Sequence, residues 1–424
     1  MSRLLLTSGL DLRLARVRQL DHRLYQAARQ VRVLGELSWD PSVQKDFLDA
    51  WRSGRRELPR PAPPDPDLAD VTAELGEIVT ELDEANPLEA FLGRTARSYL
   101  DAVAMVRAAG TPTFTELSVA LYGHPAGALA PGAPTHLDAA ARFMAVSTGV
   151  DPRPDADAPD SEAAAVWLRE QVKPHFRPPL RVEVHPGLKA LATAGANRVR
   201  LRGGTQFSEM TLQQLFQHEA MVHAATKRNG RAQPVLRCMG LSSPRTTTTQ
   251  EGLATLAELI TDCMDLHRLR RVALRVPSIH MALEGADFIQ VFEFLLDQGQ
   301  TEVEACSAAA RIFRGGDVRG RVVFTKDVVY LKGLMLTHSF LLKAMQHDRP
   351  QLAARLFAGR MTMGDVLALD PFFESGVIIE AGILPEWVAN WRNLAAYLAW
   401  ASFSTRLPIR ELDLDDFSVD GDIG

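Results

Sequence analysis

"SEMTLQQLFQHEAMVHAATKRNG" (residues 208–230) has the marks of one long helix. Ser208 is placed to cap its N-terminus, Lys227 and Arg228 suit the negative end of the helix dipole, and Asn229-Gly230 offers a C-cap. Leu212, Leu215, Phe216 and Val222 form an apolar stripe. His218, Glu219 and His223 therefore sit within a half-buried helix, where polar groups need partners. Two histidines and a glutamate in six residues are metal-ligand types, but the usual helical zinc motif, H-E-x-x-H, spaces its histidines by four. Here the spacing is five. At 3.6 residues per turn, His218 and His223 point about 140° apart, and one metal cannot take both. A helix widened by one residue, a π-turn, swings them back onto one face. The segment is either a metal site on a distorted helix or a set of core polar residues with local hydrogen bonds.

The next helix bears on that choice. "TTTTQEGLATLAELITDCMDLHRL" (246–269) begins near Thr248 and carries Glu251 in its first turn. A catalytic zinc takes three protein ligands and leaves one position open for water. Glu251 supplies a hard oxygen donor on a helix that can pack antiparallel to the first, which makes His218, His223 and Glu251 the expected ligands of one zinc per chain. The competing reading of Glu251 is a capping box with Thr248. Gly252 argues against it: glycine costs helix stability, so its presence suggests a close approach to the backbone there. Glu258, two turns on, either accepts the second ring N–H of a ligating histidine or is a solvated helix charge.

The rest of the chain frames these two helices. A length of 424 residues allows two or three domains, or one large domain with an appendage. The 46% hydrophobic and 23% charged content is that of a soluble globular protein, and a net charge of −5 lacks the basic excess expected of a nucleic-acid binder. The three cysteines carry no C-x-x-C unit and read as buried thiols in a reducing compartment. The apolar run near the N-terminus is too short for a signal-peptide core and no stretch approaches a membrane span, so a cytoplasmic protein with no membrane partner is expected.

Apolar residues at three-and-four spacing in 12–37, 68–82 and 88–106 predict helices. Proline-rich 58–67 separates the first from the others, and "GHPAGALAPGAPT" (123–135) and "VDPRPDADAPDS" (150–161) are further loops. Two strands are expected around 180–185 and 197–202, and nearly everything from 208 onward reads helical. "NRVRLRGG" (197–204) is a candidate edge strand for a substrate backbone. The expected fold class is mainly α with a small β-sheet (α+β). Its parts are a helical N-terminal region (1–160), a zinc metallopeptidase domain (161–407) and an acidic, disordered or loosely docked tail (408–424).

"HEAMVH" and "QEGLA" together resemble the flavohaemoglobin-expression-modulating QEGLA-motif family, which shares a domain with the microtubule-associated tyrosine carboxypeptidase. "KRNGRAQP" (227–234), "FTKDVVYLKG" (324–333) and "FTELSVALYG" (114–123) fit it too, so the resemblance runs to about residue 390. It implies a gluzincin-like zinc-protease core, and a zinc carboxypeptidase that removes a C-terminal aromatic residue from peptides or proteins. In that chemistry Glu219, beside a ligand but not ligating, is the general base. Thr325 can cap the helix that follows it. Lys326 then falls in the first turn, where the dipole disfavours a cation unless an anion joins it, such as a substrate carboxylate. Tyr330, one turn on, shares that face and can donate to an oxyanion, although Lys326 can equally be an exposed lysine and Tyr330 a core aromatic. Arg311 and Arg314 in "RIFRGG" are further carboxylate partners or structural residues. Two other readings stay open: a catalytically idle regulatory protein that keeps the fold, and a zinc amidase acting on a non-peptide bond.

Overall fold

The structure, a computed structural model, describes residues 2–146 and 158–404, with side chains from residue 12 onward. Most of the 150–161 break and the acidic tail lie outside the described residues. The periodic segments form helices, α1 (Ser2–Ala28), α2 (Ala69–Glu81) and α3 (Pro87–Arg107), except that the 12–37 segment leaves the helix at 29–32 and resumes only as the short turn Val33–Glu36. Asn86 caps α3 by accepting from the Leu88 N–H, with Pro87 at the first helical position, where its missing N–H costs nothing. Residues 58–67 and 123–135 run without helix, as their proline and glycine content requires.

α4 (Ser161–Val172) leads into a three-stranded sheet of β1 (Arg181–His185), β2 (Ala192–Ala194) and β3 (Arg198–Arg202). Both expected strands are present. β2 was not expected, because three residues are too few for alternation to register. The order is β1-β3-β2, with β3 parallel to β1 and antiparallel to β2. The edge-strand reading of 197–204 is therefore wrong: β3 is central, its backbone is taken up on both sides, and the sheet's edges are β1 and β2.

The long helix at 208–230 is present and is not uniform. Ser208 caps it, accepting from the Thr211 N–H. α5 (Glu209–Leu215) passes without a break into a π-helical segment, Phe216–Ala224, and then α6 (Ala225–Arg231). The Asn229-Gly230 C-cap is a misreading. Both residues are buried inside α6, where Asn229 donates to the carbonyls of Phe357 and Ile383. A Cβ on Gly230 would lie 2.2 Å from the Met239 oxygen, so the glycine serves a backbone contact.

The remaining helices that build the site are α7 (Thr247–Ile260), α8 (Leu266–Leu283), α9 (Glu302–Phe313) and α10 (Val329–Gln346). The fold is mainly helical with one small sheet, in the α+β class. Two cores grip the π segment from opposite sides. Val222 belongs to the buried cluster that also holds Leu24 of α1, Phe91 of α3 and Leu253 of α7, while Ala220, Met221 and Ala224 belong to the one that holds Val182, Val199 and Leu201 of the sheet.

α7 and α10 cross at glycines. A Cβ on Gly252 would meet the Gly333 oxygen at 2.3 Å, and one on Gly333 would meet the Thr248 oxygen at 2.3 Å. The close approach inferred from Gly252 is thus another helix's backbone, and it fixes the height at which Glu251 stands.

Glycine-to-alanine substitutions should have opposite signs in two of these helices. Gly252→Ala gains helix propensity but forces the crossing apart, and overpacking of this kind costs about 1–3 kcal/mol or more. Gly76→Ala in α2, where a Cβ meets nothing within 4 Å, should stabilise by up to about 1 kcal/mol. Urea midpoints of the two variants check both signs.

Candidate functional site

The π segment does what the five-residue spacing demands of a shared site. The rings of His218 and His223 stand with centroids 4.7 Å apart, nearly perpendicular. Glu251 Oε2 lies 3.6 Å from His218 Nε2 and 3.5 Å from His223 Nε2. One donor atom from each residue falls within 4.8 Å of the other two. Glu251 Oε2 is buried with no hydrogen-bond partner, and so is His223 Nδ1. The capping-box alternative for Glu251 fails, since α7 starts with no side-chain cap at all.

A widened turn needs extra donors for its carbonyls, and side chains supply them. Arg360 Nη2 donates to the His223 carbonyl (3.1 Å), and Thr226 Oγ1 donates to the Val222 carbonyl (2.8 Å) while lying 2.8 Å from the Gln250 side-chain amide. His218 is also held from behind. His218 Nδ1 donates to Glu258 Oε1 at 2.6 Å, and Glu258, fully buried, accepts from Arg268 (3.0 and 3.1 Å) and from Gln214 (2.5 Å). Of the two readings of Glu258, the histidine acceptor is the one found.

Burial and these partners set the charges. Burial works against the charged imidazole of His218, but Glu251 and Glu258 outweigh it and hold the group well above its ordinary value. For His223, burial wins, helped by the neighbouring His218, and the value falls. Burial also opposes the Glu251 carboxylate, and Lys326 with the two histidines overcomes it. Glu219 is half-buried beside the pair and forms no hydrogen bond or ion pair with any described residue.

The FTKD segment lies against the triad. Lys326 is buried, with Nζ 3.1 Å from Glu251 Oε1 and 4.0 Å from Asp327 Oδ1. It is therefore not an exposed lysine, and the anion that joins it comes from the protein. Thr325 does not cap the following turn with its side chain; its Oγ1 lies 3.0 Å from Ser118 Oγ. Tyr330 packs its ring 4.9 Å from Lys326 Nζ, and its hydroxyl accepts from Arg311 Nη2 at 3.4 Å. Arg311 grips Asp327 through two bonds of 2.6 and 2.9 Å. Arg314 lies over Phe324, 5.1 Å from the ring centroid.

The motifs did not flag Arg268, Arg275 or Arg360. Arg268 and Arg275 are seven apart in "RLRRVALR" (268–275), and hence on one face of α8, which was a legible signal. Nothing local marks Arg360, whose partner is a carbonyl 137 residues away.

Comparison with known families sets the chain among carboxypeptidases. It belongs to the microtubule-associated tyrosine carboxypeptidase family, whose model matches residues 45–406, most of the chain. No curated protein matches it.

The buried Glu258–Arg268 pair makes a prediction that involves no ligand. Removing one partner strands the other charge, at about 3–5 kcal/mol, so Arg268→Met should be strongly destabilised. Adding Glu258→Gln to Arg268→Met should recover much of that loss. A double-mutant cycle in urea measures the coupling, and additive costs would contradict it.

Proposed function

We propose that the protein is a zinc-dependent carboxypeptidase that removes a single C-terminal residue, tyrosine or phenylalanine preferred, from peptides or proteins. Family membership supports carboxypeptidase chemistry, and the aromatic preference rests on the family alone. The observation that carries the zinc reading is the convergence of three donors on one point. The Nε2 atoms of His218 and His223 lie 3.6 and 3.5 Å from a partnerless buried carboxylate oxygen. Zinc bonds of about 2.0–2.1 Å to nitrogen and oxygen give tetrahedral ligand-to-ligand edges near 3.3–3.4 Å, so these spacings fit.

Zinc held by His218, His223 and Glu251 would supply a Lewis acid that acidifies water and polarises the scissile carbonyl. The chain's own residues do the rest. Glu258 fixes the His218 tautomer by accepting from Nδ1, which leaves Nε2 as the donor towards the triad. Glu219 has no partner to compete for its carboxylate, so it can take the proton of the attacking water and pass it to the departing amine. The Tyr330 hydroxyl accepts from Arg311, which leaves its own proton free for the developing oxyanion. Lys326, Arg311 and Arg275 lie about the ring of that tyrosine and give the site the positive field that suits a terminal carboxylate.

Metal analysis of the purified protein should find one zinc per chain. Glu251→Ala and His223→Ala should each lose it on dialysis. Affinity should fall as the pH is lowered, because the proton favoured on His218 competes with the metal. Zinc bound equally well by wild type and both variants would place it elsewhere.

Glu219→Gln should keep zinc and lose about 10²–10⁴-fold in turnover, because an amide cannot accept the water's proton. Mass spectrometry of a peptide library reads both the loss and the site of cleavage. Internal cuts would replace the carboxypeptidase reading with an endopeptidase one, and full activity of the glutamine variant would remove Glu219 from its role.

A further inference from the structure

Positive charge outnumbers negative beside the triad. Four cations, Arg275, Arg311, Arg314 and Lys326, gather round Tyr330 with two carboxylates, Asp327 and Glu251. Arg311 is spent on Asp327, and Lys326 on Glu251. That leaves two guanidinium groups. On α8, Arg268 pairs with Glu258 and Arg271 with Glu304, but Arg275 has no hydrogen bond or ion pair with any described residue. Its Cζ lies 4.0 Å from the Tyr330 ring centroid, and its Nη1 is buried without a partner. Arg314 is likewise unpaired among the described residues, with a buried, partnerless Nε.

A buried charge without a partner is costly, and a cation–π contact offsets only part of that cost. Burial first, and then the neighbouring Arg311, pull Arg275 below its ordinary value, and the same causes push Arg314 down to about 10. These are guanidinium groups short of an anion. The two differ in placement. Arg275 covers the face of Tyr330, whose ring also lies 4.9 Å from Lys326 Nζ, so it stands one ring away from the lysine that touches the triad. Arg314 instead covers Phe324.

We propose that Arg275 is the residue that receives the carboxylate of a substrate's terminal amino acid, with the Tyr330 ring as its support. Lys326 is a positioning residue: it holds Glu251 through Oε1 and so aims Oε2 at the two histidines. The proposal rests on the carboxypeptidase reading above and sharpens it. A planar fork of five donors on an aromatic platform suits bidentate capture of a carboxylate, and an amide offers that fork no charge.

Binding tests this separately from turnover. Calorimetry with N-acetyl-phenylalanine and N-acetyl-phenylalaninamide should show wild type preferring the acid by about tenfold to a hundredfold, the range expected for a charge-assisted contact. Arg275→Met should abolish the preference, Arg275→Lys should keep part of it, and Arg271→Met on the same helix should leave it whole. If Arg275 were structural, Arg275→Met would destabilise the protein. The proposal expects the reverse, a higher urea midpoint, because an unpaired buried charge has gone. An undiminished preference in Arg275→Met, or one lost only in Arg314→Met, overturns the assignment. So does inorganic phosphate binding as tightly as the N-acetyl amino acid, which would mark a general anion site. If wild type binds the acid through Arg275 but cleaves no peptide, the enzyme reading fails and the binding site stands.

Discussion

The hydrogen bonding of residues 216–224 is the constraint on which the site's other distances depend, because it decides whether His218 and His223 face the same way. A regular helix would send one of them into a core. The widening is imposed from both sides: Val222 is locked into the helical core while Ala220, Met221 and Ala224 are locked against the sheet. Arg360 and Thr226 then serve the carbonyls at the end of the wide turn. Distortion, packing and side-chain donors support one another, and this is how a rare helix form becomes the stable one.

The second requirement is that a carboxylate from another helix reach the same point. Gly252 and Gly333 let α7 and α10 touch backbone to backbone, and the residues flanking that contact are Glu251 on one helix and the Lys326–Tyr330 stretch leading into the other. One packing event therefore brings together the third donor and the cation that orients it. The same glycine that weakens α7 in isolation is what allows the site to form.

Much of this was legible locally. A serine before an apolar stripe, a five-residue histidine spacing and a glycine in the middle of a good helix each have a short-range physical meaning, and the structure agrees on the cap, the widened turn and the close approach. What failed needed partners distant in sequence. Asn229-Gly230 looks like a helix end because turn chemistry is local, while its actual use, contact with Met239, Phe357 and Ile383, is tertiary. β3 looks like a possible edge because alternation says nothing about how many neighbours a strand has. Lys326 invited an external anion because the sequence does not reveal that Glu251, 75 residues earlier, supplies one.

The buried charges follow one logic once they are sorted by partner. Where an acid and a base meet in pairs, as in Glu258–Arg268 and Asp327–Arg311, each lies one step from a residue that must be aimed: Glu258 touches His218, and Arg311 touches Tyr330. Such pairs are weak sources of stability, since desolvation consumes most of their attraction. Their effect is directional: a bidentate pair tolerates little rotation, so the atom it holds points one way. Lys326 extends the pattern by dividing Glu251 between two duties, Oε1 to the ammonium and Oε2 to the histidines. The arginines that break the pattern, Arg275 and Arg314, have aromatic rings for support and no acid. Beside Tyr330, Arg275 and Arg314 are the cations that meet neither an acid nor a hydrogen-bond partner among the described residues, and on the reading proposed above the anion that Arg275 lacks comes from outside the protein.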